Sequence, residues 1–454
     1  MKLVLLSGGS GKRLWPLSND ARSKQFLKVL SNKEGSMESM VQRVWRQIDS
    51  NGLSHDTYIS TSKAQVQMLH SQLGKEVPLI VEPERRDTLP AIALACVYLF
   101  TEQGVSEDET ICILPVDPYV EERFFQQMGA LSNVLQESGS EISLIGVKPT
   151  YPSTKYGYIL PREQMSDDSW FHVEKFVEKP TEDNAEELIL RNALWNCGVF
   201  AFRLGYILDI LKAQGLPLDY SELLLGFSEM PKISFDYAVV EKASRIAVLP
   251  YDGYWRDLGT WNTLTDEMKD TLVGKGRISH DSHNTHLINE LDIPIVVLGI
   301  SNVVIAASPD GILVSDKLAS PRLKEMVSDF QQQPMYEETS WGSYRILDHS
   351  IVDGKMETLT RRIHLKQGNN LSYQFHNRRR EVWTVLSGEG EFVLDQSFKQ
   401  IRAGDIVDIP MGIGHALKAI SDLVFMEIQM GSELLEEDIA RVTWNWEEIL
   451  QRTL

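Results

Sequence analysis

The stretch that decides the fold is Leu3-Val4-Leu5-Leu6-Ser7-Gly8-Gly9-Ser10-Gly11-Lys12-Arg13-Leu14-Trp15-Pro16, with Lys24 close behind it. The apolar run reads as a buried strand. The glycines after it permit a tight turn whose backbone amides face an anion. Two familiar phosphate loops do not fit. Gly9-Ser10-Gly11-Lys12-Arg13-Leu14 puts Leu where G-x-G-x-x-G requires its last Gly, and the Gly-Lys-Ser/Thr ending of a Walker loop is missing. Lys12, Arg13, Lys24 and Lys28 follow within a few turns. Cations clustered beside an amide nest suit a polyphosphate; the plainer alternative is a solvated basic helix after an ordinary turn.

Working outward, residues 1 to about 270 alternate short apolar runs with helical stretches, as in a parallel sheet flanked by helices. Strands are expected at Lys2 to Leu6, Thr57 to Ser60, Pro78 to Val81, Ile111 to Pro115, Ile142 to Val147 and Gly198 to Phe202, and helices at Ser39 to Gln47 and Leu89 to Phe100. Ligands of such sheets bind beyond the carboxyl ends of strands, where the glycine loop falls. The segment 271–333 changes to short β-like runs, such as Ile295 to Gly299, Val303 to Ala306 and Gly311 to Val314, with a helix only at Arg322 to Phe330. Gln331-Gln332-Gln333-Pro334 reads as a linker. From 334 to 454, β-branched and aromatic runs separated by glycine turns predict a closed antiparallel barrel.

The 454 residues suffice for two or three domains with ample core. A net charge of -19 opposes a surface that wraps nucleic acid, so a nucleotide must be gripped locally. Cys96, Cys112 and Cys197 lie in apolar runs and suit reduced, buried thiols rather than a disulfide framework. Met1-Lys2 runs straight into the first strand, and the longest apolar run, Leu89 to Phe100, contains Pro90 and is too short for a membrane span. The expectation is a cytoplasmic protein without nucleic-acid or membrane partners.

Asp117 follows the run Ile111 to Val116, so it is expected at a strand's carboxyl end close to the glycine loop. A carboxylate there can hold Mg²⁺ against phosphate oxygens; capping of the next helix is its structural alternative.

Gly8 to Ser18, with Lys24-Gln25-Phe26-Leu27, resembles the signature of sugar-1-phosphate nucleotidylyltransferases, and the Leu-Trp-Pro and Lys-Gln-Phe-Leu variants are most similar to mannose-1-phosphate guanylyltransferases. Lys12 stands where that family usually has Thr, and Ser23 where it usually has Pro. The resemblance implies a Rossmann-like α/β nucleotidyl-diphospho-sugar transferase domain over 1–270, with a left-handed β-helix-like module after it. Trp255-Arg256-Asp257-Leu258-Gly259-Thr260-Trp261 is similar to the family's Asp-Val-Gly-Ser/Thr-Trp segment, implying that Asp257 shares Mg²⁺ with Asp117. Ser7, Gly8, Gly9, Gly11 and Lys12 would hold the nucleotide, with Arg13 and Lys24 on the departing pyrophosphate. Glu82-Pro83-Glu84-Arg85-Arg86-Asp87-Thr88 resembles the stretch beside the base. Either Glu82 or Arg86 could read guanine, the carboxylate by accepting from N1–H and the amino group, the guanidinium by donating to O6 and N7. Asp87 replaces a usual Asn. Tyr156-Gly157 and Glu178-Lys179, with Asn196 and Asp236, resemble the sugar-phosphate elements, Glu178 meeting hydroxyls and Lys179 the phosphate.

Five residues separate Gly368 from Gln374, one separates Gln374 from His376, four precede Glu381 and six precede Gly388; Gly404, Pro410, Gly412 and His415 form a second set. These spacings resemble the two cupin motifs. Residues i and i+2 of a strand share a face, so Gln374 and His376 can point together, and with Glu381 and His415 would offer a site for Zn²⁺ or another divalent ion. Trp341-Gly342-Ser343-Tyr344 and Leu371-Ser372-Tyr373-Gln374 are similar to the mannose-6-phosphate isomerase half of bifunctional enzymes. Departures fall in the site: His376-Asn377-Arg378-Arg379 replaces His-His-His-Arg, Val382 replaces His, and Ala416 replaces a phosphate-binding Arg, with Arg378 to Arg380 the candidates to compensate. The function implied is GDP-mannose synthesis from GTP and mannose-1-phosphate, in a homodimer. The same transfer on another hexose- or heptose-1-phosphate, and a sugar-nucleotide-binding regulator without turnover, are the alternatives.

Overall fold

The computed structural model describes residues 1–9, 11–19, 22–162, 169–330, 333–435 and 438–452. Its first unit is a nine-stranded sheet in the order Leu79–Glu82, Thr57–Ser62, Lys2–Ser7, Thr110–Pro115, Leu194–Arg203, Ile142–Val147, Ile246–Tyr251, Phe171–Val177, Tyr158–Pro161. The period of two along the first strand sends Leu3 and Leu5 into one core layer and Val4 into the other, so both faces are buried. Helix Thr88–Thr101 is apolar nearly all round, as its place in the second layer requires. Ser39 caps helix Met40–Ser50 through a reciprocal bond with Gln42.

The sheet is mixed rather than parallel. Leu194–Arg203 runs antiparallel to both Thr110–Pro115 and Ile142–Val147. An apolar run alone carries no direction, because direction is set by where the connecting chain enters. The expected helix at Arg322 to Phe330 shortens to a 3₁₀ turn, Ser320–Arg322, and one α-turn, Leu323–Met326. Cys96, Cys112 and Cys197 are free and buried, and burial pushes the Cys112 and Cys197 thiols up to about 12.

After Glu267 the chain forms stacked parallel rungs: Leu272–Gly274, His286–Asn289 and Val303–Ser308 pair side by side, and Gly276–Ile278 pairs with Ile295–Val297. This β-helix-like module packs on the first unit through Leu14, Leu17, Trp261, Ile288 and Val304. Gln331 and Gln332 of the expected linker lie outside the described residues. The last unit is a two-sheet barrel of six and five strands, with Trp383, Phe392 and Phe425 at its centre.

Candidate functional site

The strand Lys2–Ser7 delivers the glycine loop to the sheet's carboxyl edge. Gly9 has φ +132°, a conformation that side chains resist, and the directions in which Gly8 and Gly9 would carry Cβ atoms open onto empty space. A ligand can therefore approach the backbone directly. Ser23 Oγ donates to the Gly9 carbonyl at 3.1 Å, and Gln25 Nε2 donates to Ser7 Oγ at 3.3 Å. The carbonyl is held back and Ser7 is fixed from below. Ser23, the residue that departs from the family's Pro, thus supplies a donor that Pro lacks.

Arg13 is exposed in the 3₁₀ turn Gly11–Leu14. Lys12 points elsewhere: its Nζ lies 3.3 Å from the carbonyl oxygens of both Ser328 and Phe330. Trp15 meets the Phe330 ring edge-on at 5.5 Å. Lys12 therefore anchors the loop to the β-helix-like module, an assignment that no local sequence signal could have supplied.

Asp117 and Asp257, far apart in sequence, meet through a two-stranded ribbon. Pro118–Val120 begins directly after Asp117 and pairs antiparallel with Trp255–Asp257, Pro118 opposite Asp257. Lys24 bridges the two carboxylates, with Nζ 2.6 Å from Asp117 and 3.2 Å from Asp257. Burial opposes its charge, but the two aspartates outweigh burial and hold the ammonium above its ordinary value. A Cβ on Gly259 would come within 2.9 Å of the Asp257 carboxylate, so glycine there leaves that side chain its room. Two carboxylates gathered around one cation, each part-exposed, fit Mg²⁺, which takes one or two protein carboxylates and completes its shell with phosphate and water.

Glu82 ends the strand Leu79–Glu82 with 5% exposure and accepts from Ser60 Oγ at 3.3 Å. Burial pushes its carboxyl up to about 7, against the pull of Ser60 and Arg85. Arg86 is tied to Glu84 at 2.9 Å and to the Met230 carbonyl at 2.6 Å. Asp87, at φ 72°, caps the next helix by accepting from Thr88 N. Of the two candidate base readers, Glu82 therefore retains accepting capacity, while Arg86 is committed to the protein.

Gly157, Glu178, Lys179, Asn196 and Asp236 converge. A Cβ on Gly157 would fall 2.5 Å from Glu178 Oε2, Asn196 N donates to the Gly157 carbonyl at 2.8 Å, and Asn196 Nδ2 donates to Asp236 at 2.7 Å. Lys179 Nζ lies 2.6 Å from Glu178. Burial, then Glu178, pushes Asp236 up to about 6. Tyr156 meets Trp195 at 5.0 Å and Trp255 at 5.5 Å, both edge-on, and its hydroxyl is raised by burial and by Asp257. Trp195 and Trp255, buried indole N–H groups without partners among the described residues, escaped the sequence reading. Their adjacency to Asn196 and Asp257 was the available signal.

In the barrel, Gln374 pairs with His415 across strands, and His376, Glu381 and His415 offer ligand atoms within 4.8 Å of one another. His415 Nδ1 faces the Ile413 carbonyl at 3.1 Å, while Nε2, 3.8 Å from Glu381, has no hydrogen-bond partner among the described residues. Burial, Arg379 and His415 lower His376 to about 3, so it is a neutral ligand at physiological pH. Gln374 Nε2 lies 3.5 Å from His376 Nε2. A buried imidazole nitrogen with nothing to bind, beside a second neutral imidazole and a carboxylate, fits a divalent ion.

The expected compensating arginines are already engaged. Arg379 Nε donates to Glu381 at 3.0 Å, Arg378 pairs with Glu433 at 2.7 Å and Arg380 with Asp408 at 2.9 Å. Ala416 packs under the C-terminal helix against Val393 and Trp446.

An open glycine loop at a sheet's carboxyl edge, two carboxylates gathered by one lysine and a polar cluster of Glu178, Lys179, Asn196 and Asp236 share one α/β unit, and that unit is joined through the β-helix-like module to a cupin-type barrel. Residues 2–273 match the nucleotidyl transferase family and residues 329–443 match the mannose-6-phosphate isomerase C-terminal family. The alginate biosynthesis protein AlgA of Pseudomonas aeruginosa is 31% identical, covering 99% of this chain and 97% of that protein. Mannose-1-phosphate guanylyltransferase 2 of Escherichia coli O157:H7 is 29% identical, covering 96% of each. The crystal structure of a mannose-1-phosphate geranyltransferase from Thermus thermophilus superposes with a TM-score of 0.60 at 27% identity, covering 73% of this chain and 99% of that one. The chain belongs to the nucleotidyl transferase family and carries a mannose-6-phosphate isomerase C-terminal domain.

Proposed function

We propose that the protein transfers GMP from GTP to mannose-1-phosphate, giving GDP-mannose and pyrophosphate. The observation that carries this reading is the meeting of Asp117 and Asp257 at Lys24, which is linked to the open glycine loop through the neighbouring Ser23. The link to the cluster of Glu178, Lys179, Asn196 and Asp236 runs through Tyr156, the neighbour of Gly157 that Asp257 acts upon. The loop amides and Arg13 hold the triphosphate, and Glu82 reads the base. Lys179 and the polar cluster present the sugar phosphate, whose oxygen attacks the α-phosphorus in line as pyrophosphate leaves. Such a transfer needs positioning and charge neutralisation rather than a protein nucleophile. Asp117 and Asp257 would hold Mg²⁺, which supplies orientation and neutralisation of the phosphates. Lys24, which pairs with both aspartates, would supply the ammonium for the departing pyrophosphate. Pyrophosphate release measured over a panel of nucleoside triphosphates and sugar-1-phosphates tests the reading: GTP with mannose-1-phosphate is expected to lead, and no release from any pair removes it.

Gly157→Ala drives a methyl group into Glu178. The expected outcome is a KM for mannose-1-phosphate raised about tenfold, equivalent to about 1.4 kcal/mol, with the KM for GTP unchanged. Equal KM values in mutant and wild type would remove Glu178 from sugar recognition.

Glu82 titrates at about 7 against an ordinary 4.5. The fold favours the protonated form, so this group's contribution to stability is present below 4.5 and lost as pH rises through about 7. Guanine needs the ionised form as acceptor. Affinity for GTP is therefore expected to weaken as pH falls below about 7, approaching about tenfold per unit, beyond what Glu82→Gln shows over the same range. Identical pH profiles would contradict Glu82 as base reader.

We infer that the barrel binds a divalent ion at Gln374, His376, Glu381 and His415 without isomerase turnover, because Arg378, Arg379 and Arg380 are all paired and Ala416 offers no charge. Metal analysis is expected to show an ion lost in His376→Ala/His415→Ala, and fructose-6-phosphate is expected to stay unconverted at any metal supplied. Conversion by wild type would overturn the second half of this inference.

A further inference from the structure

A second candidate anion site lies on the outside of the barrel. Along its larger sheet, Tyr336, Arg345 and Arg362 stand opposite one another across three strands, and Ser343, His364 and Val424 form the neighbouring row. These residues, with Tyr344, line a pocket of about 320 Å³. Arg362 and His364 flank Ile363, which points into the barrel core, so the pocket occupies the face turned away from the histidine and glutamate cluster.

The charge pattern of this pocket is unusual for a chain of net charge -19. Two arginines directly opposite on antiparallel strands repel each other unless an anion lies between them. Among the described residues Arg345 pairs only with the rim carboxylate of Asp292, at 3.3 Å and 75% exposed. Arg362 has no ion pair or hydrogen bond among the described residues. Lys366, two residues beyond His364 on the same face, adds a further cation and lies 3.4 Å from Ser71 of the transferase unit. The nearby Glu338 is engaged by Lys28 at 3.5 Å and by the Tyr336 hydroxyl at 3.3 Å. Donors thus outnumber free acceptors on the pocket wall.

We propose that this pocket binds a phosphoryl group, free or carried by a small sugar phosphate. Guanidinium forks match phosphate oxygens in pairs, His364 supplies a further donor, and the volume exceeds what a bare phosphate fills. The site also touches all three units. Arg22 lies over the Tyr336 ring at 5.4 Å and pairs with Glu290 of the β-helix-like module at 2.8 Å. An occupant is accordingly expected to stiffen the junction and raise Tm.

The test is calorimetric titration of the full chain with inorganic phosphate, then with a hexose 6-phosphate, at ionic strength fixed with chloride. Wild type, Arg362→Gln and Arg345→Gln/Arg362→Gln are compared, each with its Tm in chloride as the fold control. The expected result is a phosphate-binding component, separate from any at the glycine loop and Lys179, that weakens at least tenfold in Arg362→Gln and vanishes in the double variant. A hexose phosphate bound more tightly than phosphate assigns the sugar-linked source; equal affinity assigns the free anion. Phosphate binding within twofold of wild type in both variants, or no binding beyond chloride in wild type, overturns the proposal.

Discussion

Arg13→Ala is expected to lower kcat about 100- to 1,000-fold while leaving Tm unchanged. The guanidinium is exposed, at the turn where the glycine loop closes, and stands near enough to Lys24 to work against that ammonium's charge. Among the described residues no hydrogen bond or ion pair engages it, so its removal costs little stability. In the proposed transfer it would face the charge that develops on the departing pyrophosphate. Loss of one such preorganised donor typically costs about 3 to 4 kcal/mol of barrier. Steady-state kinetics beside a melting curve checks both halves. Full turnover in the mutant would remove Arg13 from the chemistry.

Asp257→Asn is expected to be costlier, about 1,000-fold or more in kcat, with the Mg²⁺ requirement displaced to higher concentration. The change keeps shape and the backbone pairing with Pro118, and removes one negative charge. Lys24 keeps its closer partner, Asp117, at 2.6 Å, so the loss of stability is small. Two roles would fail together: the ion would lose a ligand, and Lys24 would lose the more distant of the two carboxylates that place it. A Mg²⁺ titration of kcat separates this outcome from misfolding. A mutant with wild-type Mg²⁺ dependence would take Asp257 out of the metal site.

Much of this architecture is legible in the chain itself. The apolar run Leu3–Leu6 and the glycines after it specify a strand and an open turn by local physics, and the structure shows both. Asp117 could be placed at a strand end for the same reason. Its meeting with Asp257 was legible only through resemblance, because the ribbon that joins them is a pairing of short, distant segments. The antiparallel insertion of Leu194–Arg203 was not legible, since strand direction depends on the path of the connections. The partners of Lys12 are illegible for a related reason. A lysine beside a glycine loop suggests phosphate, yet its partners here are backbone carbonyls of Ser328 and Phe330, more than 300 residues away. Arg379 and Arg86 teach the same point. Charge in a motif shows what a residue can bind, and only the folded neighbourhood shows whether Glu381, or Glu84 and the Met230 carbonyl, have already claimed it.

The most direct measurement of the central claim follows the α-phosphate. GTP labelled there is incubated with the protein and Mg²⁺, with and without mannose-1-phosphate, and the label is traced in small molecules and in protein. Label passing into GDP-mannose only when mannose-1-phosphate is present, with none bound covalently to the chain, is the predicted result. Label fixed on the protein, or no sugar nucleotide formed, would contradict a site built for direct transfer between two phosphates.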